Sequence, residues 1–281
     1  PPLCAHRVMM ALLSRRRTLA ARCRAAVLFL VVVGAGDTEA TASLFAPNTT
    51  IIVERLAGAC NRGMYGRQNG VLENARFDEP SGVGLSPDGS VVVVSDNKNN
   101  AVRKIADGTV ETLSGGAFGF QDGTGTASQF NYPAGIAVSP DGTFLIVTET
   151  NRVRKVILLT GVTSTLCGTT SPGFTDGDAG VATLSGPAGV VFAPDGTWLA
   201  VADTGNHAIR RINISTGAVS TLIGSRALGV GVSGFEDGAA VDARLKSPEG
   251  VAIDSTGTKL AISDTGNSAV RLVDLAGSGM P

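Results

Sequence analysis

The stretch Ala202-Asp203-Thr204-Gly205-Asn206-His207-Ala208-Ile209-Arg210 decides the fold, because the chain repeats its pattern. A second copy, Ser263-Asp264-Thr265-Gly266-Asn267-Ser268-Ala269-Val270-Arg271, keeps the acidic residue, the asparagine and the arginine in the same places. Two further copies carry their acidic residues at Asp96 and Glu149, and the Glu149 copy is two residues shorter before its arginine. Self-similarity of this kind is the sequence signature of a repeat architecture.

A Pro-x-Gly motif stands 16 residues before the acidic residue of every copy. The four motifs begin at Pro80, Pro133, Pro187 and Pro248, at spacings of 53, 54 and 61 residues. A Pro-Asp-Gly turn follows each of the first three motifs, and Ser255-Thr256-Gly257 takes its place in the fourth. Upstream, the motif Gly-Phe-x-Asp-Gly occurs at 119–123, 173–177 and 234–238, with a degenerate copy at 66–70. This register predicts four equivalent units with starts near residues 80, 133, 187 and 248.

Each unit reads as four short strands separated by tight turns. The second strand of every unit is nearly continuous in apolar residues, which predicts burial on both faces. These second strands lie at 91–94, 144–147, 198–201 and 259–262. Gly accounts for 37 of the 281 residues, well above a usual share of about 7%, as many tight turns require. A four-stranded antiparallel sheet repeated radially is a propeller blade, so the sequence predicts an all-β fold, a β-propeller of four-stranded antiparallel blades.

The unit of Pro-x-Gly-Val, Asp-Gly, an apolar strand and Asp-x-x-Asn-x-x-Val/Ile-Arg resembles the NHL-repeat family of β-propellers over residues 51–276. The resemblance implies a ring of more than four blades, similar in architecture to the six-bladed gluconolactonase-like propellers. The fourth unit stops near Leu275, in the middle of its blade. We therefore expect either a chain truncated at its C-terminus that forms part of a larger ring, or a small ring closed by a leading strand at 50–56.

The first 36 residues contain no Asp or Glu but hold six Arg, and an apolar run at 25–33 follows the arginines. This layout predicts a signal peptide, with an uncleaved membrane anchor and an organellar transit peptide as alternatives. Residues 37–50 read as a linker and residues 51–281 as the repeats. The sequons at Asn48 and Asn213 are consistent with a glycosylated protein of the secretory pathway, extracellular or membrane-anchored.

The charge of the chain argues against nucleic acid as a partner. Six of the 23 basic residues lie in the first 36 positions, so residues 37–281 carry 17 basic and 24 acidic side chains. Nucleic-acid binding requires clustered basic charge, and we expect no nucleic-acid partner. Membrane contact is expected only if the N-terminal segment stays uncleaved.

The charged residues of the repeat are predicted to be structural, because they recur in every unit. We expect the acidic residues to cap their own turns by accepting backbone N–H bonds, and the arginines to pair with the acidic residues inside each blade. The alternatives are a metal or substrate channel lined by the acidic residues and an anion-binding ring formed by the arginines. The residues are Asp96, Glu149, Asp203 and Asp264, with Arg103, Arg154, Arg210 and Arg271.

The loop aspartates Asp122, Asp176 and Asp237 are the candidate binding residues. Connections at the same place in successive blades should emerge on one face, where they would present three carboxylates together. We expect the phenylalanine of each Gly-Phe-x-Asp-Gly loop to fold inward and the aspartate to close its own turn, with calcium binding as the alternative. Apart from that alternative, we predict no cofactor and no metal.

Three further residues have unexceptional interpretations. Cys60 and Cys167 fall in different repeats without a nearby second Cys or His, so we predict free structural thiols. Trp198 lies within an apolar strand, so we predict that it packs in the core.

The predicted function is a non-catalytic exported scaffold that binds a protein or a glycan through one loop face, with no catalytic residue. The alternative is a metal-dependent, lactonase-like hydrolase with its site at the propeller channel. His207 is the only histidine outside the first 36 residues, which excludes a His-rich zinc site, while a site built from Glu and Asn stays open. No nucleophile elbow, His-Glu-x-x-His motif or phosphate-cradling loop occurs.

Overall fold

The computed structural model describes residues 54–58, 65–224, 231–240 and 242–276. The repeats belong to one compact unit, Arg55–Ala59 with Met64–Pro281. A second unit, Pro1–Glu54 with Cys60–Gly63, lies almost wholly outside the described residues. The predicted signal segment, the linker, Asn48 and Cys60 therefore fall outside them as well.

The regular structure of the described chain consists of short strands and four single-turn 3₁₀ helices. In chain order the strands are β1 (Gly70–Val71), β2 (Pro80–Leu85), β3 (Val92–Asp96), β4 (Ala101–Ala106), β5 (Thr109–Gly115), β6 (Gly123–Thr124), β7 (Ile136–Val138), β8 (Phe144–Glu149), β9 (Arg152–Ile157), β10 (Val162–Gly168), β11 (Pro187–Phe192), β12 (Trp198–Asp203), β13 (Ala208–Asn213), β14 (Val219–Ile223), β15 (Gly250–Ile253), β16 (Lys259–Asp264) and β17 (Ala269–Asp274). The 3₁₀ helices are Asn97–Asn99, Gly125–Ala127, Thr204–Asn206 and Thr265–Asn267. Among these described elements there is no α-helix and no helix long and apolar enough to cross a membrane.

The strands form four antiparallel sheets, which we call blades 1 to 4. Their orders are β1-β5-β4-β3-β2, β6-β10-β9-β8-β7, β11-β12-β13-β14 and β15-β16-β17. In blades 1, 3 and 4 the acidic residue that ends the second strand faces the alanine that begins the third, as Asp203 faces Ala208. Blade 2 pairs Glu149 with Arg152, because its shortened repeat lacks the 3₁₀ helix at this point. The predicted all-β propeller of antiparallel blades is confirmed.

The hydrophobic core lies between neighbouring blades. Successive side chains of a strand point to opposite faces of its sheet, so one buried strand contributes to two core layers. In β12, Leu199 and Val201 pack toward blade 2, whereas Trp198, Ala200 and Ala202 pack toward blade 4. All six residues of β12 are buried, which is the burial on both faces that the continuous apolar run predicts.

The glycine of the Pro-x-Gly motif permits the innermost strands of adjacent blades to approach each other. A Cβ atom placed on Gly82, Gly135 or Gly189 would lie 2.4, 2.1 or 2.4 Å from a backbone carbonyl oxygen of the next blade. The amide of Gly189 also donates a 2.8 Å hydrogen bond to the carbonyl of Glu249. Glycine is required at these positions because no side chain fits between the strands.

The connections between strands define two opposite faces of the propeller. One face, which we call the Pro-x-Gly face, carries the 3₁₀ helices after the second strands and the residues that precede the motif prolines. Those residues have left-handed backbones, with φ values of 49° at Glu79, 50° at Tyr132, 55° at Gly186 and 46° at Ser247. The other face, the hairpin face, carries the two hairpin turns of each blade. This division follows from the antiparallel order, in which the chain reverses direction at every turn.

Side chains on the Pro-x-Gly face join one blade to the next. The amide of Tyr132 donates to Asn100 Oδ1 at 3.0 Å, and the amide of Ser247 donates to His207 Nδ1 at 3.0 Å. Asn100 and His207 both follow a 3₁₀ helix and both have positive φ. The His207 side chain thus links blade 3 to blade 4 through a hydrogen bond.

The leading strand predicted at 50–56 is not seen as a strand in the part that is described. Residues 50–53 fall outside the described residues, and residues 54–56 have no strand conformation. The amide of Gly58 donates to the carbonyl of Leu72 at 2.8 Å, as Gly168 and Gly224 do to the equivalent Ala179 and Ala240. The chain near Gly58 therefore contacts the start of blade 1 in the way that Gly168 and Gly224 contact the segments before blades 3 and 4. Ring closure by the leading strand stays a prediction.

We predict that Gly135→Ala destabilises the propeller by about 1–3 kcal/mol, because the new methyl group overpacks against the carbonyl of Ala188. Gly180→Ala is the matched control, since nothing lies within 4 Å of a Cβ atom there. Its effect should stay within about 0.5 kcal/mol. Urea unfolding followed by circular dichroism measures both, and equal midpoints would contradict the close approach of the inner strands.

Candidate functional site

The arginine of each repeat lies in the middle of its blade between two acidic or amide side chains, and it is fully buried in blades 1 to 3. In blade 3, Arg210 Nη1 lies 2.7 Å from Asp203 Oδ2, and Arg210 Nη2 lies 2.5 Å from Asp176 Oδ1. The same two nitrogens donate to the carbonyls of Thr183 and Thr175, each at 3.1 Å. A buried guanidinium needs such partners because an unpaired buried charge is very costly.

The same arrangement recurs in the other three blades, with two variations. Glu149 replaces aspartate in blade 2, and Asn69 replaces the loop aspartate in blade 1. In blade 1, Arg103 lies 2.7 Å from Asp96 and 2.9 Å from Asn69. In blade 2, Arg154 lies 2.8 Å from Glu149 and 2.7 Å from Asp122. In blade 4, Arg271 lies 3.2 Å from Asp264 and 2.5 Å from Asp237. The arginines thus pair with the acidic residues of their own blades.

An aromatic ring covers each of these guanidinium groups. Arg210 lies 4.9 Å from the centre of the Phe174 ring, and Arg271 lies 5.1 Å from that of Phe235. Such cation–π contacts add to the attraction of the acidic partners. The expectation that the loop phenylalanines fold inward needs correction, because Phe235 is 63% exposed. In blade 2 the loop residue Phe120 covers Arg152 instead, and Phe130 covers the repeat arginine.

The acidic residues at the ends of the second strands do not cap their own 3₁₀ helices, so that expectation also needs correction. Asp203 makes no side-chain cap. Its Oδ1 accepts the amide of Ser185, 18 residues earlier, and its Oδ2 accepts Asn206 Nδ2 at 2.7 Å. Burial raises the pKa of the Asp203 carboxyl, and Arg210 acts in the opposite direction. Its oxygens are thus used within the blade.

The loop aspartates are not brought together. Asp122, Asp176 and Asp237 each lie beside the arginine of a different blade. Asp122 and Asp176 accept the amides of Thr165 and Thr221 at 3.1 and 3.0 Å, so they link their loops to the fourth strands and do not close their own turns. Over the residues that the structure describes, no group of three His, Cys, Asp or Glu side chains is placed to hold a metal ion. A binding role for the three aspartates stays a prediction.

Two other residues lie where the sequence places them. Cys167 is free and buried between blades 2 and 3, and burial raises the pKa of its thiol to about 12. Trp198 belongs to the core between blades 3 and 4, with the guanidinium of Arg211 at 5.2 Å from its ring centre.

An exposed aromatic pair on the Pro-x-Gly face was missed by the sequence reasoning. Phe118 and Tyr132 are 61% and 52% exposed, and their ring centres lie 6.1 Å apart at an interplanar angle of 70°. The signal available in the sequence was a break in the repeat. Tyr132 corresponds to Glu79, Gly186 and Ser247 in the other units, and Phe118 corresponds to Tyr65, Pro172 and Ser233.

Curated relatives match part of the chain. Human NHL repeat-containing protein 2 is 31% identical over 188 residues, which cover 60% of this chain and 25% of that protein. The chloroplastic protein SUPPRESSOR OF QUENCHING 1 of Arabidopsis thaliana is 32% identical over 163 residues, covering 54% of this chain and 15% of that protein. The matched part is thus a quarter or less of the length of these relatives. No protein-family model matches the chain.

Solved structures share the fold at low sequence identity. An auxiliary nutrient binding protein from Bacteroides thetaiotaomicron has a TM-score of 0.58 and 20% identity, covering 71% of this chain and 48% of that one. A nidogen/laminin complex contains a chain with a TM-score of 0.52 and 17% identity, covering 74% of this chain and 65% of that one. At these identities the likeness supports the fold alone.

We predict that Asp203→Ala costs about 3–5 kcal/mol of unfolding free energy, because it removes the fully buried counterion of Arg210. Asp237→Ala should cost at most about 1 kcal/mol, because the carboxylate of that pair is 89% exposed. Chemical denaturation of the two variants beside the parent measures the difference. Equal losses of unfolding free energy in the two variants would show that the buried Asp203–Arg210 pair does not stabilise the blade more than the exposed pair does.

Proposed function

We propose that this chain, which is an NHL-repeat β-propeller, is a non-catalytic scaffold that binds a protein or a glycan through its Pro-x-Gly face. One observation carries the proposal. The repeated charged residues are used inside the blades, whereas Tyr132 interrupts the repeat on this face and forms an exposed aromatic pair with Phe118. Residues that fold a repeat recur in every unit, and residues that bind a specific ligand have to differ between units.

The solved structures show that this fold occurs in binding proteins, so the fold is compatible with a binding role. One structural neighbour is a nutrient binding protein and another takes part in the nidogen/laminin complex. Exposed aromatic residues are also enriched at protein interfaces because they bury a large area with few rotatable bonds.

Polymer blocking of single faces tests the proposal. In a background where Cys4, Cys23 and Cys60 are replaced by Ser, a polyethylene glycol chain is coupled through maleimide to Lys246→Cys on the Pro-x-Gly face. The matched control is Thr160→Cys on the hairpin face, and the buried Cys167 stays unlabelled. The probes are a glycan array and a phage-displayed random-peptide library.

We expect saturable binding in one of the two probe classes, blocked by the polymer at Lys246→Cys and retained with the polymer at Thr160→Cys. Absence of binding in both classes, or blocking from the hairpin face alone, would reject the proposal. Lactone hydrolysis that requires an added divalent cation would replace it with the hydrolase alternative.

We further propose that the chain is exported. The arginine-rich start with its apolar run supports this, as does the sequon at Asn213, which lies exposed at the end of β13. Expression in a secreting eukaryotic cell should give a glycosidase-sensitive mobility that changes in Asn213→Gln. Retention inside the cell without any glycan would refute export.

A further inference from the structure

The aromatic pair is fixed in place by its backbone. Tyr132 has φ 50°, and its amide donates to Asn100 Oδ1 at 3.0 Å. Phe118 is held by two backbone hydrogen bonds between the segments around Ala117 and Phe130, of 3.2 Å and 2.9 Å. A ligand that binds to side chains on such a rigid backbone loses little free energy to ordering them.

Polar side chains form a rim beside the rings. Lys98 and Glu79 make an ion pair next to Tyr132. The hydrogen bond that the Lys98 ammonium group donates to Glu79 raises the pKa of Lys98, and Tyr132 contributes to the same shift. An apolar aromatic centre with a polar rim is the usual composition of a protein–protein hot spot.

The hydrogen bonds of this rim favour a protein ligand over a glycan. A sugar requires polar side chains that can address its hydroxyl groups. Here Lys98 bonds Glu79, the Asn100 side chain bonds both Tyr132 and the carbonyl of Lys98, and Asn97 Nδ2 donates to the carbonyl of Pro133 at 2.9 Å. The Asn97 and Asn100 side chains are therefore used within the propeller, Lys98 and Glu79 pair with each other at the solvent-exposed surface, and the rings supply the apolar surface.

We propose that the Phe118–Tyr132 pair is the anchor site for a partner protein, which packs an apolar side chain against the two rings. The proposal deepens the binding function proposed above and rests on it, because it names both the ligand class and the residues. Burying exposed aromatic surface against an apolar side chain supplies the affinity, and the Lys98–Glu79 pair borders the contact as its polar rim.

Blade 4 provides matched substitutions within the same chain. Ser247 occupies the position of Tyr132 with φ 46°, and Ser233 occupies the position of Phe118. Phe118→Ser and Tyr132→Ser thus place residues that this fold already carries at equivalent positions, and both variants should melt near the parent temperature. Leu159→Ser is the control, because it removes an exposed apolar side chain from the hairpin face.

The experiment selects peptides from a phage-displayed random library on the full chain, with counter-selection on the Phe118→Ser, Tyr132→Ser double variant. Recovered peptides are then titrated against the parent and each single variant. We expect peptides that contain a large apolar residue, with Kd weakened at least about tenfold by either aromatic substitution and unchanged by Leu159→Ser.

Four outcomes would overturn the proposal. Failure to recover any peptide is one, and equal affinity for the parent and both aromatic variants is another. Glycan binding that is lost in the aromatic variants would replace protein with glycan as the ligand and leave the proposed function intact. Self-association of the parent that the variants abolish would show that a second copy of this chain occupies the site.

Discussion

A guanidinium group lies in the middle of every blade, fully buried in blades 1 to 3, and it sets the conditions that the rest of the repeat has to meet. The group cannot leave its charge unpaired in the interior. In blade 3 its two terminal nitrogens form ion pairs with Asp203 of the second strand and Asp176 of the preceding loop. They also donate hydrogen bonds to two backbone carbonyls. One side chain thereby fixes the register of two strands, the path of the loop and the entry into the blade, which explains why these residues recur together.

The packing between blades depends on backbone approach as much as on apolar contact. Inner strands come close enough at Gly82, Gly135 and Gly189 that a methyl group would contact the carbonyl of the next blade. Because each blade meets the next through the same residues, the relation between neighbours is repeated along the chain. The buried second strands then supply side chains to the layers on both sides.

Folding and binding are divided between different sets of residues. The acidic residue, asparagine and arginine of the repeat bond to one another inside blades 1, 3 and 4. Tyr132 interrupts the repeat, and its ring and that of Phe118 are exposed. This is the reason that the proposed function rests on the aromatic pair, and not on the aspartates that were the candidates from sequence.

The sequence by itself determined the number of visible repeats, the positions of the strands and the partition of the apolar residues, because strand periodicity and turn residues are local signals. It also predicted that the repeat arginines pair with the acidic residues, since both recur in fixed register. Only the tertiary structure decided which backbone amide each carboxylate accepts, because Ser185 and Asp203 are separated by 18 residues. The same holds for the partners of the loop aspartates, each of which pairs with the arginine of its own blade. The contact between Phe118 and Tyr132 likewise arises from folding of the loop that separates them, and residue identity alone does not set such a distance.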